Sequence, residues 1–485
     1  MTARNSSLSS EHSPTASREY NLLDSTWLSG SNRIDSLLSA FKWHQLSGTI
    51  STTLTYSMAG LGDSRYIETY PDGDGDTRPP YNDGWMTLNS FEMQQVRLAL
   101  SKWSNVANIT FTEVQDSQTV AGDLRFAFTS DAPTAYAYYP GGNPWSGDVW
   151  LGDNPYNHNP QLYTYGFGSV LLHEIGHALG LKHPHQETNA YNIGPVATFG
   201  NDALLYTVMS YFDHVGDEND GIESSRLPIT PMVSDIAAIQ WLYGANMTYN
   251  RGNTVYDYSS YDQILETIWD AGGNDTIAWG NRPEAVVINL TPGSYSEIGP
   301  GYSTGDLEFE TRTLGIAYNA WIENAKGGSG NDRITGNVMA NRLYGGAGND
   351  TLSGGSGADN LSGGAGNDWL NGGANADIFT FSTRLNRKTN VDTIYKFSHA
   401  DDTIYLDNGV FTKLGSGSTS APRKLKSAYF EVGSRADDRN DYVIYNKKTG
   451  VLSYDADGSG SKHAAIEFAK VAKGLSLKYD DFFVV

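Results

Sequence analysis

The 485-residue chain contains no cysteine. Disulfide staples are therefore excluded, and a chain built for an oxidising compartment needs another crosslink, of which bound metal is one. No apolar run approaches the roughly 20 residues of a membrane-spanning helix, so a membrane is not an expected partner. The opening residues, Met1-Thr2-Ala3-Arg4-Asn5-Ser6-Ser7, lack the apolar core of a secretory signal peptide. Positive charge is scarce as well: Lys and Arg total 33 against 55 Asp and Glu, a net charge of −22. That balance argues against nucleic acid or an anionic lipid surface as a partner.

What is abundant is glycine, 53 residues, crowded into one C-terminal stretch, while aromatics at 12% supply core material for two or three domains. Residues 1–19 are Ser/Thr-rich without apolar periodicity, which predicts a disordered tail or short pro-segment. Ile34, Leu37, Leu38 and Phe41 then fall at helical spacing. Leu54, Tyr56 and Met58 alternate as in a strand. Tyr70 to Gly84 reads as a loop. Asn89 followed by Glu92 is a capping signature for a helix reaching about Val106. Ile109 and Phe111, then Leu124, Phe126 and Phe128, then Val149 to Leu151 predict further strands, followed by a helix from about Gly168. Pro231 is expected to open another helix that Gly244 ends. The pattern is an α/β unit with a twisted, mostly parallel sheet over residues 20–245.

That unit contains the stretch His173-Glu174-Ile175-Gly176-His177-Ala178-Leu179-Gly180-Leu181-Lys182-His183. Four residues apart on a helix, His173 and His177 offer two imidazole nitrogens to one ion. Gly180 can adopt the left-handed conformation that ends a helix and returns His183 as a third ligand. Three imidazoles and an open position suit one catalytic zinc ion, and Glu174 suits a general base beside it. Thr207-Val208-Met209-Ser210-Tyr211 supplies a methionine turn downstream. His158, His185 and His214 lie outside the motif and are expected at the surface.

From Gly327 the chain reads as six consecutive nine-residue units, GGSGNDRIT, GNVMANRLY, GGAGNDTLS, GGSGADNLS, GGAGNDWLN and GGANADIFT. The sixth slot holds Asp332, Asn341, Asp350, Asp359, Asp368 and Asp377, and the eighth an apolar residue. Each unit gives a glycine-rich turn and a short strand, with the eighth residue inward. Stacked turns gather carboxylates and carbonyl oxygens around several structural calcium ions. Candidate ligands are the carboxylates together with the first and third turn positions, Gly327 and Ser329, Gly345 and Ala347, Gly354 and Ser356, Gly363 and Ala365. The second unit departs from the pattern. Residues 246–485 are expected to form this all-β parallel roll.

With His183-Pro184, the methionine turn and the repeats, the chain resembles the serralysins, secreted bacterial metzincin proteases. The resemblance implies a metzincin catalytic domain followed by an RTX β-roll. It also implies that Met209 floors the zinc site and that Tyr211 binds zinc at rest and stabilises the oxyanion during turnover. The segment Ala135-Tyr136-Ala137-Tyr138-Tyr139 would be the sheet edge beside the cleft. Asn250, Gly252, Thr254, Asp270, Gly272 and Asp275 would hold one calcium ion, and Gly273, Asp275 and Glu323 another. Asp392 and Asp402 would cap the roll. The last residues, Asp481-Phe482-Phe483-Val484-Val485, are similar to an uncleaved type I export signal and also suit a terminal edge strand. The implied protein is a monomer acting on protein or peptide substrates, exported by a type I secretion apparatus and met by a small periplasmic protein inhibitor. The competing expectation is an exported calcium-binding adhesin or an inactive relative.

Overall fold

The computed structural model describes residues 20–43, 51–59, 85–117, 120–130, 132–143, 145–154, 157, 166–198, 200–217, 224–260, 263–304 and 308–485. The expected N-terminal tail, the loop from Tyr70 to Gly84 and His158 lie outside them. The chain forms two units. The first runs through Tyr249 and takes in Gln263–Ala271 and Gly301–Tyr318; the second holds Asn250–Asp262, Gly272–Pro300 and Asn319–Val485. No helix among the described residues is long and apolar enough to cross a membrane.

In the first unit the sheet is built from β1 (Thr52–Met58), β2 (Ile109–Glu113), β3 (Leu124–Thr129), β4 (Ala135–Ala137) and β5 (Asp148–Gly152). Their order is β2-β1-β3-β5-β4, with β4 alone antiparallel, and Trp85–Met86 pairs antiparallel with β3. Every residue of β3 and β5 is buried, as expected of parallel strands covered on both faces. Helix α1 (Ser90–Val106) starts at the predicted capping box: Asn89 Oδ1 accepts from the amides of Phe91 and Glu92, and Glu92 returns a carboxylate to the Asn89 amide at 2.7 Å. Its buried face, Val96, Leu100 and Trp103, packs towards helix α2 (Phe167–Ala178), where Trp103 Nε1 donates to the Leu172 carbonyl at 3.3 Å.

Helix α3 (Val233–Tyr243) begins two residues beyond Pro231, because Asp235 in its first turn accepts the Met232 amide at 2.8 Å and fixes the start there. Gly244 ends it at φ +81°, as expected. One segment departs from its helical spacing. Only Asn32–Asp35 are helical, and Phe41–Trp43 instead pair antiparallel with Tyr20–Leu22. Phe41 is thus a strand residue whose spacing from Ile34 is coincidental.

The second unit is a parallel roll. Alternate units feed alternate sheets, so strands pair with a register of 18 residues: Leu343 with Leu361 in one sheet, Leu352 with Leu370 in the other. Ile334, Leu343, Leu352, Leu361, Leu370 and Phe379 are all buried between the sheets. Burying six such side chains contributes roughly 1.5–3 kcal/mol each. The terminal strand, Phe482–Val484, is not an edge. It lies between Thr403–Leu406, parallel, and Arg423–Lys424, antiparallel.

Candidate metal centre and roll turns

Helix α2 carries His173, Glu174 and His177, and its end explains how His183 joins them. Leu181 N–H donates to Gly176 and Gly180 N–H to His177, both at 2.9 Å, which is the bond pattern of a Schellman turn. Gly180 sits at φ +104°, and a Cβ there would collide with the Phe41 carbonyl. The terminal carbonyls of the helix are also satisfied: Trp43 Nε1 donates to Ala178 at 2.8 Å and Tyr243 Oη to Leu179 at 2.7 Å. Lys182, fully buried, donates to the carbonyls of His183, Gln186 and Pro195 and ties the returning loop.

The three imidazoles converge. His173 Nδ1 donates to the Val208 carbonyl and His177 Nδ1 to the Leu181 carbonyl, each at 2.7 Å. Both Nε2 atoms are therefore lone pairs, and they point at His183 Nε2 from 3.0 and 2.9 Å. Burial lowers all three rings, His173 to about 4 and His177 to about 3, so they are neutral at pH 7. Three neutral imidazoles whose Nε2 atoms meet at 2.9–3.0 Å suit a cation between them, and the donor set fits zinc. Glu174 is buried beside them, its Oε2 without a hydrogen-bond partner, and burial pushes its carboxyl up to about 8.

Met209 is fully buried under the helix, where a Cβ on Gly176 would lie 2.6 Å from its Sδ. The Tyr211 ring lies 4.3 Å from the His183 ring and stacks on His173 at 5.5 Å and 13°. Burial and then Glu174 push its hydroxyl up to about 12.

In the roll, Asp350, Asp359, Asp368 and Asp377 are buried. One oxygen of each accepts a backbone amide one rung away, from Asp332, Asn341, Asp350 and Asp359 at 2.8–3.0 Å. The other, Oδ2, has no hydrogen-bond partner. Burial raises all four, Asp350 and Asp359 to about 7. A buried carboxylate oxygen with no donor calls for a cation, and glycine turns supply the carbonyl oxygens that calcium takes. Gly345, Gly354 and Gly363 lie so close to their own Asp that a Cβ would collide with it. Asp332 differs: its oxygens accept from Gly328 and Val286. Asp392 and Asp402 extend the ladder, accepting from the amides of Asp368 and Asp377. Before the repeats, Asp275 accepts the Thr254 amide at 2.7 Å while its own amide donates to Glu323 at 2.8 Å, with Gly252 and Gly273 adjoining. Asn250 donates to the Tyr256 hydroxyl, and Gly272 takes φ +131°. Asp270 belongs to the first unit.

Two family models match this chain. One described as Matrixin covers residues 86–193, and one described as Peptidase M10 serralysin C terminal covers 235–416. Serralysin G of Dickeya chrysanthemi is 34% identical over 316 residues, 60% of this chain and 61% of its own length. A Serralysin C from the same organism is 40% identical over 282 residues, 53% of this chain and 55% of its own. Metallopeptidase AprA of Pseudomonas marginalis is 37% identical over 286 residues, 53% and 56%. Over both matched stretches the chain is similar to the serralysins. The matched stretch spans less than two thirds of the length of these curated relatives.

The structure adds His185, Asp202 and Asp235 to this site and sets Tyr139, expected at the sheet edge beside the cleft, against His177. Tyr139 stands edge-on to His177 at 5.7 Å and stacks on Phe41 at 6.5 Å. His185 is not a plain surface histidine: it is half-buried, stacks on the His183 ring at 5.2 Å and 7°, and lies 5.3 Å from Tyr211. His214 is half-buried too. Asp202 lies 3.8 Å from His185 and accepts the Ser210 hydroxyl at 2.5 Å. Asp235 accepts the Val208 amide at 2.8 Å and the Thr207 hydroxyl, so it holds the residue whose carbonyl orients His173. No sequence signal marks His185 or Asp202. For Asp235, the spacing from Met232 at a helix start was available.

Proposed function

We propose that the chain is a secreted zinc endopeptidase that cleaves proteins and is stabilised by several calcium ions. The observation that carries this reading is the convergence of three neutral imidazole nitrogens beside a buried, partnerless carboxylate, Glu174. His173, His177 and His183 would hold the zinc, the first two rings oriented by the Val208 and Leu181 carbonyls. Bound zinc supplies Lewis acidity and a water of lowered pKa. Glu174, buried beside the three rings, would take a proton as the scissile carbonyl is attacked and pass it to the leaving amine. Tyr211, whose ring packs on His173 and His183, would donate its hydroxyl to the carbonyl oxygen as that oxygen gains charge. A substrate peptide adds as a strand along β4, which pairs on one side with β5.

Catalysis is assigned to residues 20–245 and calcium binding to 246–485. The four donor-free Asp Oδ2 atoms support the calcium part. Export by a type I apparatus and control by a small periplasmic inhibitor rest on the family likeness, and the cysteine-free composition agrees with a calcium-based crosslink. Casein hydrolysis in calcium buffer should be abolished by 1,10-phenanthroline and restored by added zinc. A purified chain that holds no zinc yet still cuts casein would refute the proposal.

A further inference from the structure

The turn Gly336-Asn337-Val338-Met339-Ala340-Asn341 lies in the same 18-residue ladder as the turns of Asp359 and Asp377. It differs where calcium chemistry is decided. The second glycine is Asn337 and the sixth-slot carboxylate is Asn341, and both side chains are buried, 6% and 1% exposed. Asn341 Oδ1 accepts the Asn337 amide at 2.7 Å. Its Nδ2 donates to the Glu323 carbonyl at 3.0 Å and to Asn337 Oδ1 at 3.1 Å. Asn337 Nδ2 in turn donates to the carbonyls of Leu290 and Ile322 at 3.1 and 2.9 Å, and its Oδ1 also accepts the Met339 amide at 2.9 Å.

Three backbone carbonyls therefore meet amide N–H groups here, and every side-chain polar atom of the pair is satisfied. Contrast the turns of Asp350, Asp359, Asp368 and Asp377, each of which leaves a buried Oδ2 without a donor. The backbone differs in parallel. Gly346 and Gly348, Gly355 and Gly357, Gly364 and Gly366 all hold φ between +104° and +150°, whereas neither Asn337 nor Met339 has positive φ.

We infer that the turn at residues 336–341 binds no calcium, because two asparagine amides occupy the role the ion plays in the turns of Asp350, Asp359, Asp368 and Asp377. The roll then contains one rung that closes without a cation. Neutral amides supply the positive ends that carbonyl oxygens need, and no net charge is buried. An aspartate at 341 would instead set a carboxylate oxygen against the Glu323 carbonyl, an arrangement that a cation or a bound proton would have to relieve. This inference rests on the calcium reading of the roll.

The test is calcium per chain, measured by equilibrium dialysis and atomic emission on the full-length wild type, Asn341→Ala and Asp359→Asn. The inference expects the same calcium content in Asn341→Ala as in the wild type, with a lower midpoint of thermal unfolding. Asp359→Asn should hold about one ion fewer, since it removes a donor-free carboxylate. Loss of one ion on Asn341→Ala would overturn the inference while leaving the calcium reading intact. A wild type without calcium, or an Asp359→Asn content unchanged from it, would overturn the calcium reading and the inference with it. Should Asn341→Ala fail to fold, Asn341→Ser, which keeps an oxygen but loses the Nδ2 donors, carries the same comparison.

Discussion

Asp235 shows what a single buried carboxylate does for the zinc site. Its two oxygens gather the Thr207 hydroxyl and the amides of Val208 and Met232, which locks the methionine turn onto the start of α3. Burial nevertheless prevails over these hydrogen bonds and lifts the carboxyl from 3.8 to about 7. A folded-state pKa raised above the unfolded one gives a stabilising contribution that is complete below pH 3.8 and is lost as pH climbs through about 7. Asp235→Asn, uncharged throughout, should therefore gain in melting temperature relative to the wild type as the pH rises from about 4 to about 8. A difference between the two melting curves that stays constant with pH would contradict this. The legibility of residues follows the same divide. His173, Glu174, His177 and His183 were readable because eleven consecutive residues encode both helix and return turn. His185 and Asp202 reach the site through packing against the His183 ring and Ser210, which leaves no local spacing to read.

At the scale of elements, the end of α2 is the hinge on which the ligand set turns. Gly180 combines a left-handed backbone with an approach to the Phe41 carbonyl that leaves no room for a Cβ. Gly180→Ala should thus cost at least about 1–2 kcal/mol from the backbone conformation alone. That corresponds to a melting temperature lower by roughly 2–4 °C per kcal/mol. Because His183 follows three residues later, the variant should also hold zinc more weakly, seen as zinc lost to a lower concentration of chelator. A Gly180→Ala protein with unchanged melting and zinc retention would show that this turn does not set the site. Strands and long helices were legible wherever a period of two or 3.6 ran for several residues. The segment around Phe41 was not. Its apolar spacing suits a helix, yet the chain turns after Asp35 and residues 41–43 find their partners at Tyr20–Leu22, a pairing that only the folded chain reveals.

The whole molecule joins two kinds of metal chemistry on one cysteine-free chain of net charge −22. The roll was legible because nine-residue units repeat in sequence and two of them make one 18-residue rung. Its departures, such as Asp332 with both oxygens hydrogen-bonded, depend on contacts that the repeat does not encode. Without cations, the buried carboxylates at Asp350, Asp359, Asp368 and Asp377 oppose the burial of the leucine ladder. Chelating calcium from the full chain should therefore reduce far-ultraviolet β signal, and restoring calcium should recover it; an unchanged spectrum would count against a calcium-held roll. The most direct measurement remains casein hydrolysis by the wild type and Glu174→Ala in calcium, with zinc determined on both. Activity in the wild type alone, with about one zinc in each protein, is the expected result. Near-normal hydrolysis by Glu174→Ala, or a folded wild type that neither holds zinc nor cuts casein, would contradict it.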